Sequence, residues 1–301
     1  MPDNHSIFVI SDLHMGDGGA RDNFPLNNRE KELSSFLDYV ASQQGELVVL
    51  GDLFEFWQMN LSKIVMKHLP LLDRLAAMNV TYVLGNHDAD LDGFVGTGFL
   101  SHPLFQRMFG PFERQIGGKR FMFMHGHEVD PVNRGDEPDL GTLCCIFAGM
   151  QEDKNGSPVL PDGEFVEDHL EEIGNILEDI AGHFKGAETR LTGWWGQLYS
   201  QVSRRLQRTR GTAARHFTPA QNPDRAKEML AMYWEDMEDN GYDVLIAGHT
   251  HHPGHIEDWY FNSGTWARKT NTFVQVSPDG DAAVFDWVNG RPVANNTVLK
   301  M

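Results

Sequence analysis

The stretch VTYVLGNHD, residues 80–88, carries an apolar, β-prone segment directly into glycine, asparagine, histidine and aspartate. A short apolar segment that lies between helical patterns is typical of a buried strand in an α/β fold. The polar residues follow the strand at its carboxyl end, where open α/β sheets bind their ligands. This stretch therefore predicts an α/β fold with a functional site at the ends of its strands.

The same arrangement, an apolar segment followed at once by metal-ligand residue types, occurs at four more places. They are Asp12-Leu13-His14 after residues 7–10, Gly51-Asp52 after residues 47–50, His125-Gly126-His127 after residues 121–124, and Gly248-His249-Thr250-His251 after residues 244–247. Amphipathic helical patterns at residues 29–42 and 64–78 separate the first segments. Strand patterns at residues 272–276 and 282–287, with turn residues between them, predict an antiparallel finish.

Aspartate, asparagine and histidine without a thiolate form a set of borderline to hard metal ligands. Residues i and i+2 of an extended segment point the same way, so Asp12 with His14, and His249 with His251, can each offer two side chains to one side. The donors exceed one tetrahedral site and fit two divalent ions, with manganese first and iron, zinc, nickel or cobalt as alternatives. The candidate metal ligands are Asp12, His14, Asp52, Asn86, His125, His249 and His251.

In this order and after these strands, the motifs Asp-x-His, Gly-Asp, Gly-Asn-His-Asp, His and Gly-His-x-His resemble those of the calcineurin-like metallophosphoesterase superfamily. The resemblance covers about residues 7–130 and 242–287. It implies an α/β fold with a four-layer α/β/β/α sandwich around a dinuclear metal centre. By motif, one ion would be bound by Asp12, His14 and His251, the other by Asn86, His125 and His249, and both by the bridging Asp52.

The resemblance also implies a reaction, in which a metal-bridging hydroxide attacks phosphorus in line and hydrolyses a phosphate ester or a phosphoric anhydride. His87 would face the scissile phosphate, where it stabilises charge or protonates the leaving group. Glu55 stands where the family has an aspartate that orients this histidine. Asp88 matches the family's acid after the histidine, and a direct catalytic role and a supporting role are both open for it.

The pattern changes between residues 131 and 240, where apolar residues at 166, 170, 173, 177, 180 and 184 mark one face of a long helix. We predict a metallophosphoesterase core of residues 1–130 and 241–301, interrupted by a helical cap insertion of residues 131–240. Within the insertion, Arg204, Arg205 and Arg208 belong to a basic cluster and are candidate substrate-binding residues, because arginine suits phosphate recognition. The alternative is a solvated helix face that pairs with neighbouring acids.

The string GDLFEFW at residues 51–57, the Gly-His-Thr-His motif and the helical insertion resemble one branch of the superfamily, the UDP-2,3-diacylglucosamine pyrophosphatases. That resemblance implies a nucleotide-sugar lipid as the substrate, but the branch typically has arginine where this chain has His87. Two other classes are open. One is a non-catalytic metal-binding scaffold of the same fold, and the other is a nuclease that holds a short single strand along the basic cluster.

The chain has 301 residues, and 43 acidic against 25 basic residues give a formal net charge of −18. Such a surface repels duplex nucleic acid and anionic membranes, which leaves a small phosphorylated substrate as the expected partner. No segment approaches the ~20 apolar residues of a transmembrane helix, and residues 1–5 lack the basic region of a signal peptide. The only cysteines, Cys144 and Cys145, make no disulfide framework. We therefore predict a cytoplasmic protein, and its oligomeric state stays open.

Overall fold

A computed structural model of the chain describes residues 5–19, 22, 24, 29–56, 59, 61–95, 97, 100–130, 223–267 and 271–300. The predictions for the long cap helix and for Arg204, Arg205 and Arg208 lie outside these described residues. The described helices are α1 (Arg29–Ser42), α2 (Leu61–Ala77) and α3 (Pro223–Asn240). The described strands are β1 (Ile7–Ile10), β2 (Glu46–Leu50), β3 (Thr81–Val83), β4 (Met108–Phe109), β5 (Phe112–Ile116), β6 (Lys119–Phe123), β7 (Val244–Ala247), β8 (Gly254–Ile256), β9 (Tyr260–Asn262), β10 (Thr272–Val276), β11 (Ala282–Val288) and β12 (Arg291–Ala294).

The described strands form two mixed sheets. The first has the order β12-β11-β10-β1-β2-β3-β4, in which β1 to β4 run parallel and β10 to β12 add an antiparallel edge. The second has the order β5-β6-β7-β9-β8, with parallel pairing of β6 with β7 and of β7 with β9. These pairings confirm the α/β fold and the antiparallel finish that the sequence predicts.

The two sheets pack face to face through side chains that alternate along the strands. In β1, Val9 belongs to the apolar cluster between the sheets, whereas Phe8 and Ile10 belong to the cluster beneath α1 and α2. Phe123 and Ile246 of the second sheet complete the cluster between the sheets. Successive side chains of a strand point to opposite faces, so a strand buried on both faces must be apolar throughout. This explains why the first strand reads as an unbroken apolar segment.

Helices cover the outer faces of both sheets. The apolar side chains of α1 that its sequence period places on one face are buried, namely Leu33, Phe36, Leu37 and Val40. On the other side, α3 packs Leu230, Tyr233 and Met237 against the second sheet, in one cluster with Leu245 and Tyr260. The layers therefore follow the predicted order α/β/β/α.

The described strands belong to one compact unit, formed by Met1–Asp136 and Lys227–Met301. The division into a core and a helical cap, with boundaries after residues 130 and 240, stays a prediction. The helix α3 lies within the predicted cap, yet its last turns contribute to the core of the second sheet. None of the described helices is long and apolar enough to cross a membrane.

Candidate metal centre

The loops that carry the predicted ligands are hydrogen-bonded to one another across the two sheets. In the first sheet, the amides of Leu13 and His14 after β1 donate to the Asp52 carbonyl after β2, both at 2.9 Å. The amide of His249, which follows β7 in the second sheet, donates to Asp12 Oδ2 at 3.0 Å. Side chains from both sheets therefore meet at one place, as the strand-end pattern predicts.

Most of the proposed ligands have a left-handed backbone conformation. The positive φ angles are 54° at Asp12, 47° at His14, 51° at Asp52, 64° at His249 and 58° at His251. This conformation costs a residue other than glycine about 1–2 kcal/mol. The prediction that Asp12 with His14, and His249 with His251, form extended i, i+2 pairs is therefore wrong in its backbone geometry, although all four residues reach the same centre.

Asp12, His14 and His251 form a first group, in which one ligand atom from each residue lies within 4.8 Å of the others. His251 Nε2 lies 2.9 Å from Asp12 Oδ1 and 3.2 Å from His14 Nε2. The distance from His14 Nε2 to the same Asp12 oxygen is 3.8 Å. Two imidazole nitrogens and a buried carboxylate oxygen thus converge, which is a donor set suited to a divalent cation.

Asp52, His125 and His249 form a second group of the same kind. His125 Nε2 lies 3.2 Å from Asp52 Oδ2 and 3.9 Å from Asp12 Oδ1. Asp52 Oδ2 also lies 3.7 Å from His14 Nε2 in the first group. One carboxylate oxygen therefore lies between histidine nitrogens of the two groups.

His125 provides a test of whether this centre suits cations. Its Nδ1 lies 2.8 Å from the Leu50 carbonyl, which can only accept, so Nδ1 carries the hydrogen and Nε2 carries a lone pair in the neutral ring. That lone pair points at the buried carboxylates of Asp12 and Asp52. Burial acts to lower the pKa of His125, but Asp52 and Asp12 outweigh it and raise the pKa to about 10. Because a divalent cation can replace this proton between the donors, the residues fit a metal site.

Asn86, the remaining proposed ligand, is buried in the loop after β3. The amide of the neighbouring His87 donates to Asp52 Oδ1 at 2.9 Å, so this loop lies beside Asp52. A Cβ atom at Gly85 would lie 2.2 Å from the same Asp52 oxygen, and glycine is therefore required there. This placement is compatible with Asn86 as a ligand, and its ligand role stays a prediction.

Glu55 contacts two histidines through one carboxylate oxygen. Its Oε2 lies 2.8 Å from His87 Nδ1 and 3.1 Å from His14 Nδ1. Burial acts to raise the pKa of Glu55, but His87 and His14 outweigh it and lower the pKa to about 2, so the carboxylate is ionised at neutral pH. The contact with His87 is the one that the resemblance implies. The contact with His14 was not foreseen, and it links the proposed catalytic histidine to a proposed metal ligand.

Asp88 is fully buried, and its carboxylate accepts hydrogen bonds from the loops after β2 and β3. Oδ1 accepts the Gly85 amide at 2.6 Å, while Oδ2 accepts the Leu53 amide at 2.8 Å and the Tyr82 hydroxyl. Burial, with the charge of Asp52, raises the pKa of Asp88 to about 7. These contacts favour the supporting role over a direct catalytic one, and the catalytic assignment of Asp88 stays a prediction.

Two residues that the sequence analysis gave no role stand directly behind the proposed ligands. Asp130 is fully buried, and its Oδ2 lies 3.0 Å from His249 Nε2. Ser11 donates its hydroxyl to Asp12 Oδ2 and lies 2.7 Å from the Ser263 hydroxyl. No sequence signal separates either residue from an ordinary polar residue, because their partners are brought to them only by the folding of distant segments.

Fold and site together define a class of protein, a two-sheet α/β sandwich whose strand ends bring together histidine and carboxylate groups that could hold a metal ion. The family model for calcineurin-like phosphoesterases matches residues 5–253 of this chain. The chain belongs to this family, which confirms the resemblance inferred from the motifs.

Three solved structures illustrate how far the similarity extends. Vacuolar protein sorting 29 from Cryptosporidium parvum is 13% identical over 97% of this chain and 95% of that chain, with a TM-score of 0.40. A dimetal phosphatase from Danio rerio is 14% identical over 97% and 99%, with a TM-score of 0.48. A predicted phosphoesterase from Streptococcus pneumoniae TIGR4 is 11% identical over 94% and 97%, with a TM-score of 0.32. No curated protein matches the chain.

Proposed function

We propose that this chain is a hydrolase of a phosphate ester or a phosphoric anhydride that works with two divalent cations. The observation that carries the proposal is the position of Asp52, whose Oδ2 lies 3.7 Å from His14 Nε2 and 3.2 Å from His125 Nε2. A carboxylate shared between two sets of nitrogen and oxygen donors is the arrangement that holds a pair of cations. The proposed ligands are Asp12, His14 and His251 for one cation and Asn86, His125 and His249 for the other, with Asp52 shared.

When bound, the cations would supply an activated water and offset the charge of the phosphoryl group. The protein determines where this takes place. The Ser11 hydroxyl and the His249 amide both donate to Asp12 Oδ2, which leaves Oδ1 of that carboxylate for the centre. Asp52 Oδ1 accepts the His87 amide, and its Oδ2 is likewise left for the centre. Each buried carboxylate is thus oriented by hydrogen bonds to one of its two oxygens.

His87 is the residue that we propose to act on the substrate. The ionised carboxylate of Glu55 lies 2.8 Å from His87 Nδ1, and we propose that Nε2 of the same ring faces the substrate. The His87 side chain is 15% exposed, so substrate can reach it. In its protonated form, His87 can donate a hydrogen bond to the phosphoryl group or a proton to the leaving oxygen.

The finer assignments follow from the donor set and the sequence. We propose manganese as the first ion to test, because a ligand set of oxygen and imidazole without thiolate suits it. The same ligand set admits iron, zinc, nickel and cobalt, which are the alternatives. Phosphodiesters are one class of substrate to test, and the cytoplasm is the proposed compartment. We propose further that Arg204, Arg205 and Arg208 bind a phosphate of the natural substrate, so that reversing their charge raises KM for that substrate and leaves a small chromogenic ester nearly unaffected.

The test is an activity screen on protein stripped with a chelator and then supplied with one metal at a time. Phosphate monoesters, phosphodiesters and nucleoside diphosphate sugars should be assayed with Mn²⁺, Fe²⁺, Zn²⁺, Ni²⁺ and Co²⁺. We expect hydrolysis that depends on the added metal and is absent from an Asp52→Asn variant purified in parallel. Absence of turnover with every metal and substrate class would instead favour the non-catalytic scaffold.

A further inference from the structure

Asp130 lies in the loop after β6. It follows a single 3₁₀ turn, His127–Val129, and its amide donates to the His127 carbonyl at 3.0 Å. Its side chain is fully buried, and Oδ2 lies 3.0 Å from His249 Nε2. A buried carboxylate costs several kcal/mol unless it is paired, so this contact accounts for the placement of Asp130 in the interior.

The contact also decides which nitrogen of His249 can bind a cation. The Asp130 carboxylate accepts, so His249 Nε2 carries the hydrogen and Nδ1 carries the lone pair. His249 belongs to the group with Asp52 and His125. In that group the two nitrogens of the His125 ring have the reverse roles. Nδ1 donates to the Leu50 carbonyl, and Nε2 lies toward the carboxylates. The two histidines of one group therefore use different nitrogens, and a different acceptor fixes each ring.

We propose that Asp130 is a positioning residue that sets the affinity of the second group for its cation, by holding the His249 ring with Nδ1 toward the centre. The inference rests on the proposed function, because it assumes that the second group binds a cation. A carboxylate behind a histidine ligand fixes the ring and increases its basicity, and removal of such a partner typically weakens metal binding about 10–100-fold. Because Asp130 contacts His249 of the second group, we expect the affinity of the first group to stay unchanged.

The experiment is a metal titration of the full chain after chelation, in which bound Mn²⁺ per protein is measured by elemental analysis at graded free metal. For the wild type we expect two ions per chain. For Asp130→Ala we expect one site to keep its affinity and the other to weaken about 10–100-fold. For Asp130→Asn, whose amide oxygen can still accept from Nε2, we expect a smaller loss at the same site.

Asp243→Ala is the matched control. Asp243 precedes β7, at the opposite end of the strand that His249 follows, and its exposed carboxylate accepts the Arg120 amide at 2.7 Å. This variant also loses a hydrogen-bonded carboxylate, and it should keep both ions. Thermal melting of each metal-free variant reports on folding, and if Asp130→Ala melts far below the wild type, the comparison is made with Asp130→Asn.

Two results would overturn the inference. One is an Asp130→Ala protein that binds both ions with the affinities of the wild type. The other is an equal loss of both ions in a variant whose metal-free form melts like the wild type. The proposed function fails separately, if the wild type binds two ions, shows the Asp130 effect and hydrolyses none of the phosphate substrates.

Discussion

The two halves of the candidate metal centre are supported by different parts of the molecule. Behind the first group, Glu55 contacts His14 Nδ1 and, through the same oxygen, His87 Nδ1. Behind the second group stand the Leu50 carbonyl, which lies 2.8 Å from His125 Nδ1, and the Asp130 carboxylate, which lies 3.0 Å from His249 Nε2. The first half is thus joined to the His87 side chain through Glu55, whereas the second half meets the His87 backbone amide through Asp52 Oδ1. Changes behind the first half should affect metal binding and turnover together, whereas changes behind the second should act through metal binding.

Asp52 belongs to both halves, so its replacement should have the largest effect. Asp52→Asn removes the charge that faces His14 and His125, and we expect loss of detectable turnover together with reduced occupancy at both cation positions. Metal content per chain and steady-state activity, measured on the same preparation, check this. A variant that is fully active and fully loaded with metal would contradict the role of Asp52 as the shared ligand.

His87 tests whether the catalytic role can be separated from the metal groups. His87→Ala should lower turnover about 10²–10⁴-fold, the usual contribution of a general acid or base, while metal content stays near that of the wild type. The measurement is kcat together with elemental analysis. If His87→Ala loses a metal ion instead, His87 belongs among the ligands and the assignment made here is wrong.

Glu55 tests the link between His87 and the first half. Glu55→Gln keeps an oxygen near both rings but removes the charge, so we expect turnover to fall about 10–100-fold and affinity to weaken at one cation position. The comparison is with Asp130→Asn, which makes the same change behind the second half. Glu55→Gln should lower turnover even at saturating metal, whereas the activity of Asp130→Asn should recover as metal is added. Full recovery of both variants would remove the distinction between the halves.

Backbone conformation gives the smallest predicted difference. In the first group all three residues, Asp12, His14 and His251, have positive φ, whereas in the second group His125 does not. In metal-free protein, His251→Gly should therefore be more stable to unfolding than His251→Ala, by about 1 kcal/mol. At His125 the order should reverse, because glycine there only adds conformational freedom to the unfolded chain. Denaturant unfolding of the four variants checks the prediction, and the same order at both sites would contradict it.

Much of the fold could be predicted from the sequence, because the information is local. An apolar strand followed by a ligand residue is visible at Asp12, Asp52 and Asn86, and the helical period of α1 gives the face that it buries. The left-handed backbone at Asp12 and at His14 could not be predicted, because it is imposed by hydrogen bonds to a loop that follows a different strand.

The support behind the ligands depends on contacts between distant parts of the chain. Glu55 reaches His14 only because the loops after β1 and β2 pack together, and Asp130 reaches His249 only because β6 and β7 are paired. For Asp88, the sequence left the direct and the supporting roles open. Burial and backbone contacts, which depend on the folded loops, favour the supporting one.

The position of the candidate metal centre, where loops of the two sheets meet, has a mechanical consequence. Asp12 lies near the start of the chain in the first sheet, and His249 and His251 follow the central strand of the second sheet. A cation held by Asp12 and His251 would act as a cross-link between the two layers and would close a loop of most of the chain. Because the cation would bind the folded chain and leave on unfolding, its contribution to stability would grow with the free metal concentration. Sliding of one sheet past the other would then require release of the ion. The cation proposed to take part in the reaction would therefore also hold the two sheets in register.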